Sequence, residues 1–343
     1  MSHRLRVVMA GCGGISRAWL DAIRNIPEIE MVGFVDINPE AAERRAREGG
    51  WPNALVGADL SCVLDSAEPD ALFDCTIPEA HVDVTLTALA HGCHVLGEKP
   101  LADTMENARR MVAAARQADR IYAVIQNRRY DPNIRRLREF LISGVIGRIT
   151  TVHCDFFIGA HFGGFRDHMR HVLLLDMAIH TFDAARFISG ADPMIVSCTE
   201  WNPPGSWYDY DASAVAVFGM TDDIVYTYRG SWCAEGLNTS WESTWRVIGT
   251  QGSVEWDGGE GFRAQVVSGT GGFIADLTDV TIPPHDAGEK VGGHAGVIRE
   301  FVQCVQAGTV PETVCTDNIR SLSMVFGAIQ SAEQGIRIAV KDL

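Results

Sequence analysis

The chain has 343 residues, 46% hydrophobic and 21% charged, the proportions of a globular protein with length enough for two ordinary domains. A net charge of −15 argues against generic affinity for nucleic acid or anionic membranes, and no apolar run reaches the ~18 residues of a transmembrane helix. Nine cysteines without any C-x-x-C argue against a disulfide framework or a thiolate zinc site. With a first strand entered at once and no apolar leader, a reducing cytoplasm is expected.

Read in chain order, the first 126 residues alternate strand and helix. "LRVVMA" (5–10) is a continuous apolar run bounded by glycine, the pattern of a buried parallel strand. "RAWLDAIRNI" has helical spacing and "MVGFVD" is a second strand. After the helix "NPEAAERRAREGG" come the strand "ALFDCT", a helix over 79–91, the strand "HVLGEK", a helix over 102–118 and the strand "YAVIQN". Such an order builds βαβ units on one parallel sheet, a Rossmann domain over 1–126.

Gly11 and Gly13 stand where the first strand turns into a helix, the place where a dinucleotide pyrophosphate meets free backbone N–H groups. The third fingerprint position holds Ser16, small but neither glycine nor alanine. Asp36 ends the second strand about 20 residues later, where an acidic side chain bonds the adenine-ribose hydroxyls. Its charge would repel a 2′-phosphate, so NAD is expected over NADP, although Arg44 and Arg45 leave NADP open. The other reading makes Asp36 a cap for the following helix. "LGEKPLA" (96–102) lies at the carboxyl end of a strand, where open α/β sheets bind ligands. Pro100 favours an extended Lys99 there; a surface turn with a solvated lysine is the plainer alternative.

From about Asn127 the character changes. "NIRRLREFLISGVIGRI" reads as a helix ending at glycine, and strands dominate thereafter: "TTVHCDFF", "IVSCTEW", "AVAVFGM", "IVYTYRGSW", "STWRVIGT" and "GSVEWD". Residues 127–343 therefore form an α+β half with a large, mostly antiparallel open sheet. "GVIREFVQCVQAG" and "NIRSLSMVFGAIQSAEQG" show the period of core helices, and "GTGGF" and "HDAGEKVGGHAG" read as mobile loops. Six of the eight tryptophans lie beyond residue 200, where strand tryptophans more often pack than bind sugars.

One run in this half, "HVLLLDMAIHTFDAARF", is strongly apolar yet interrupted by Asp176 and His180. Four residues apart, they share one face of an α-helix. Burying such a pair costs free energy unless partners satisfy it, and imidazole titrates where a general base must. A pair that merely satisfies itself is the alternative. His161, His168 and His171 add ligand-like spacing, but no zinc signature surrounds them and no metal is expected. Arg166, His168, Arg170 and His171 are suited to reading substrate hydroxyls or a carboxylate.

Taken together, "AGCGGIS", "FVDIN", "CTIPEAHVD", "GCHVLGEKPLA", "QNRRYDP", "GVIGRI", "LLLDMAIHTFD" and "SLSMVFGAIQSAEQGIRIAV" resemble the Gfo/Idh/MocA family of nicotinamide-dependent oxidoreductases over nearly the whole chain. The resemblance implies an active site of Lys99, Asp176 and His180. It implies cofactor contacts from Gly11, Gly13, Gly14, Ile15, Asp36, Thr76, Pro78, His81, Glu98 and Lys99. It also implies a carbohydrate or cyclic polyol substrate and a homodimer or homotetramer. Many members carry two glycines where His171 and Val172 stand here; with the aromatic segment 201–210 this departure points to a sugar derivative over free inositol. In the expected reaction His180 takes the proton of a secondary alcohol, Lys99 steadies the alkoxide, and Asp176 bonds the same hydroxyl or tunes His180. Two rivals use the same fold. One is an NAD-dependent glycosidase or lyase that oxidises a sugar transiently and yields no net NADH. The other is a non-catalytic NAD-binding regulator, against which the presence of all three residues argues.

Overall fold

Short buried strands and amphipathic helices alternate from the N-terminus, as their apolar runs dictate. The computed structural model describes residues 4–269, 271–285, 290–340 and 343. The chain divides into two units, Met1–Tyr130 with Gly288–Leu322, and Asp131–Ala287 with Ser323–Leu343.

In the first unit the elements are β1 (Leu5–Ala10), α1 (Ile15–Ile23), β2 (Ile29–Val35), α2 (Pro39–Gly49), β3 (Leu55–Gly57), α3 (Leu60–Ala67), β4 (Ala71–Asp74), α4 (His81–Ala90), β5 (His94–Gly97), α5 (Met105–Ala118) and β6 (Tyr122–Val124). The six strands run parallel in the order β3-β2-β1-β4-β5-β6, the doubly wound arrangement whose direction reverses beside β1. Local chemistry sets the boundaries. α2 starts on Asn38, whose side chain accepts the Glu40 N–H, carries Pro39 in its first turn, and ends on left-handed Gly50. β3 and α3 escaped the sequence reading because β3 is three residues at the sheet edge, too short for a period.

The expected boundary at 126/127 needs correction on one count. Residues 288–322 return to the first unit, because an apolar helix face closes its core. Val297, Ile298, Phe301 and Val302 pack with β1 and β4 residues, and the Phe301 ring stands edge-on to Phe73 at 6.1 Å.

In the second unit lie α6 (Pro132–Ile142), β7 (Ile149–Phe157), α7 (Ile179–Ser189), β8 (Pro193–Trp201), β9 (Ser213–Met220), β10 (Val225–Ser231), β11 (Thr244–Gly249), β12 (Gly252–Trp256), β13 (Phe262–Val267) and β14 (Leu277–Val280). After these come α8 (His294–Ala307), which is the returning helix, and α9 (Cys315–Gln334), which contributes residues to both units. The sheet order is β14-β13-β12-β11-β7-β10-β9-β8, antiparallel except between β7 and β10. β13 and β14 extend it beyond the expected strands. Alternation along β7 buries Val152, Cys154 and Phe156 and leaves His153 and Asp155 half-buried, so one face builds the core. Of the two expected mobile loops, residues 270 and 286–289 lie outside the described residues, and α8 begins inside the second. No helix among the described residues is long and apolar enough to cross a membrane.

Candidate functional site

The glycine loop between β1 and α1 is shaped by close approach. Gly11 has φ +84°, and a Cβ there would lie 2.5 Å from the Cys75 carbonyl carbon and oxygen, so only glycine fits. Gly13 and Gly14 differ: a Cβ on either meets nothing within 4 Å, and Gly14 precedes α1 as its N-cap without a side-chain capping bond. Ile15 opens the helix with its side chain exposed. Bare, open backbone at a helix N-terminus fits a dinucleotide pyrophosphate. The loop is also braced from below. Ser16 Oγ donates to the Gly13 carbonyl at 2.7 Å, and Arg45, 3% exposed, donates to the carbonyls of Cys12 (3.1 Å) and Gly13 (2.8 Å) while pairing with Glu48. Arg45 is thereby committed to the loop, a role no sequence signal announced; Arg44 stays exposed.

Asp36, half-buried at the end of β2, accepts the Cys12 N–H at 2.8 Å and the Asn38 N–H at 2.9 Å. The cap of α2 is Asn38, so Asp36 fastens the glycine loop to the tip of β2 instead. Burial and then the Asp36 charge push the Cys12 thiol up to about 12. Across the sheet, Thr76 donates its N–H (3.0 Å) and Oγ1 (2.5 Å) to Asp74, whose fully buried carboxyl is raised by desolvation. Pro78 opens a short 3₁₀ turn before α4. His81 is 1% exposed, with ring nitrogens 3.0 Å from the Pro100 carbonyl and 3.2 Å from the Thr76 carbonyl. It braces these two loops against each other.

Glu98 and Lys99 follow β5. Glu98 is 6% exposed, and its carboxylate accepts the Trp19 indole N–H at 2.7 Å and the Lys99 backbone N–H at 3.1 Å. It thereby supports the Lys99 backbone from below. The Lys99–Pro100 peptide is cis. His294, at the start of α8, lies 4.0 Å from Glu98 and 3.4 Å from Asn127, and burial holds its imidazole below the ordinary value. Trp19 and His294 were missed because only tertiary folding brings them to Glu98.

In the second unit, residues 173–178 form a π-helical turn that passes directly into α7. The expected single α-helical face is therefore corrected: Asp176 lies in the widened turn and His180 in the helix after it. Such turns concentrate at functional sites. Between Val172 and Ile188 every residue is buried except Leu175, Asp176 and His180. Arg166 donates to both Asp176 oxygens, at 2.8 and 3.4 Å, a bidentate pair with Asp176 14% exposed.

The other nominated residues separate from this pair. His168 meets Asp209 at 2.6 Å in an exposed pair that raises its imidazole, and Arg170 lies over the Tyr210 ring at 4.5 Å. His171, at φ +53°, is held by Glu200 at 2.6 Å and Glu333 at 3.4 Å. The Glu200 hydrogen bond raises the imidazole, while burial raises the Glu200 carboxyl. With carboxylates at both nitrogens, His171 is tied to β8 and α9. His161 stacks on Trp207 at 3.7 Å and bonds Glu235. Each imidazole thus has its own carboxylate, and among the described residues no three potential ligands group as a metal site. A concavity of about 850 Å³ lies on the sheet between His153, Arg229 and Arg263 and is lined by none of the expected site residues.

Family models match both halves of the chain. One describes an oxidoreductase family with NAD-binding Rossmann fold over residues 5–126, and the other a GFO/IDH/MocA C-terminal domain over 134–255. D-apiose dehydrogenase of Paraburkholderia graminis is 25% identical, over 99% of this chain and 91% of its own length. Inositol 2-dehydrogenase 4 of Saccharopolyspora erythraea is 31% identical over 66% of this chain and 64% of its own. An oxidoreductase from Agrobacterium radiobacter, solved with NAD+, L-tartaric acid and magnesium, superposes with a TM-score of 0.86 at 19% identity, covering 99% of both chains. That likeness shows the fold. The relatives named are sugar and polyol dehydrogenases.

Proposed function

The chain belongs to the Gfo/Idh/MocA oxidoreductase family, and from that premise we propose that it moves a hydride between a secondary alcohol of a sugar or polyol derivative and NAD. The observation that carries the reading is the pair Asp176 and His180, kept partly accessible in an otherwise buried run. When bound, the nicotinamide supplies the hydride acceptor. His180 takes the hydroxyl proton, its imidazole suited to a base near neutral pH. Asp176, oriented by Arg166, bonds the same hydroxyl and aligns it. Lys99 steadies the charge that develops on the substrate oxygen. The backbone of Gly13, Gly14 and Ile15 holds the pyrophosphate, and Thr76 and Pro78 border the nucleotide. NAD is favoured over NADP by the Asp36 charge and by the commitment of Arg45 to the loop carbonyls.

The test incubates purified protein and NAD with polyols, aldoses, sugar acids and glycosides, measuring NADH and released sugar together. NADH in proportion to substrate consumed supports the dehydrogenase; glycoside cleavage without net NADH replaces it with the internally cycling hydrolase. Lys99→Ala and His180→Ala should each remove most turnover while NAD still binds. Near-normal rates from either variant take that residue out of the mechanism.

A further inference from the structure

Two aromatic rings flank the group that holds Asp176, and two tryptophans continue from one of them. The Arg166 guanidinium lies between Phe162 and Phe165, 4.9 and 4.8 Å from their ring centres, with its Nε edge on Asp176 at 2.8 Å. Gly163 and Gly164, at φ +68° and +69°, turn the chain between the two phenylalanines so that they flank the arginine. Phe162 stands edge-on to Trp232 at 5.1 Å, and Trp241 lies 5.7 Å from Trp232 and 6.5 Å from Phe162. Trp232, 1% exposed, anchors the group. Phe162, Phe165 and Trp241 are 40%, 68% and 53% exposed, so much of their apolar surface adds nothing to the fold. Trp207, by contrast, is already covered by His161.

We propose that Phe162, Phe165 and Trp241 form the subsite for the aglycone of a pyranoside substrate, so that the chain oxidises glycosides in preference to free polyols. The inference rests on the reaction proposed above and adds its substrate class. Position selects the occupant. The rings begin one guanidinium away from Asp176, so a single ring whose hydroxyl meets Asp176 leaves them bare, whereas a second ring reaches them. Aromatic faces take flat apolar partners, either the C–H face of a second pyranose or an aryl ring. Among the described residues Arg166 Nη1 makes no hydrogen bond, which leaves a donor for an oxygen between the two rings.

The experiment compares phenyl, methyl and unsubstituted pyranosides, with cellobiose and maltose, in the presence of NAD, by turnover and by calorimetry. Phenyl or disaccharide substrates should exceed the methyl glycosides at least tenfold in kcat/KM or affinity. In Phe165→Ala and Trp241→Ala that ratio should fall at least tenfold; Phe165 is exposed enough for its variant to fold. A phenyl preference without a disaccharide preference assigns an aryl aglycone, and the reverse a second sugar. No preference in the wild type, or a ratio unmoved in both variants, overturns the subsite. Aglycone-dependent binding without any turnover keeps the subsite and removes the reaction. Turnover of free polyols and glycosides alike keeps the reaction and removes the subsite.

Discussion

Gly13→Ala separates the folding role of the glycine loop from its binding role. The position is not left-handed, and a Cβ there meets nothing within 4 Å. The ligand-free protein should therefore keep its stability, or gain about 0.4–1 kcal/mol from a less flexible unfolded chain. If the pyrophosphate lies on this open face, the methyl group displaces at least one charge-assisted N–H bond of about 1.5–3 kcal/mol. That is a roughly ten- to 150-fold rise in the Kd for NAD. Gly11→Ala is the control. Its φ of +84° costs about 1–2 kcal/mol of handedness strain. Its Cβ, 2.5 Å from backbone atoms of Cys75, adds about 1–3 kcal/mol of overpacking. The ligand-free Tm should fall by roughly 4–20 °C for a unit of this size. Calorimetric titration with NAD and thermal melts without it give both numbers. A Gly13→Ala protein that binds NAD like the wild type refutes the placement of the phosphates. One that melts as early as Gly11→Ala shows that lost affinity reports folding alone.

Three further outcomes test other parts of the molecule. Asp36→Ala removes the acceptor of the Cys12 and Asn38 N–H groups, so NAD binding should weaken and discrimination against NADP relax; an unchanged NAD to NADP ratio would confine Asp36 to holding the loop. His171→Gln tests the clamp on Glu200 and Glu333. Because the imidazole is raised in the folded state, its contribution is fully present below the unfolded value of about 6.5 and lost as pH rises through the folded one. The Tm gap between wild type and variant should thus be widest near roughly pH 6 and shrink in alkali, whereas a pH-independent gap contradicts the protonated clamp. Burial pushes Cys12, Cys198 and Cys315 up to about 12 and Cys93 up to about 11, while Cys62 is exposed. Native alkylation should mark Cys62 first, slowed by the nearby Asp59 charge, and early labelling of the four buried thiols would contradict their burial.

What could be read in advance was what local chemistry decides. The first sheet was legible because most of its strands are short, mainly apolar runs alternating with helical spacing, and Gly11 because a tight turn demands a left-handed residue. β3 was illegible because three edge residues carry no period. Pairings across long sequence separations were invisible: Trp19 with Glu98, Arg45 with the carbonyls of Cys12 and Gly13, and Phe301 with Phe73. The return of 288–322 to the first unit depends on that last kind of contact.

The nominated site illustrates the same division at closer range. Residue type announced Arg166 and His171 equally, as polar side chains before an apolar helix. Geometry gave them opposite tasks, because a left-handed backbone at His171 delivers its ring to Glu200 while Arg166 reaches Asp176. The spacing of Asp176 and His180 was read with the α-helical period, and that period fails at the turn that carries Asp176. A local rule broken within an otherwise regular, buried segment calls for a compensating gain. Here the widened turn gives Asp176 a position in which it is both partly accessible and held by two hydrogen bonds from Arg166. The role proposed for Asp176, one fixed orientation toward a substrate hydroxyl, requires both conditions together, and the π-turn with Arg166 meets them.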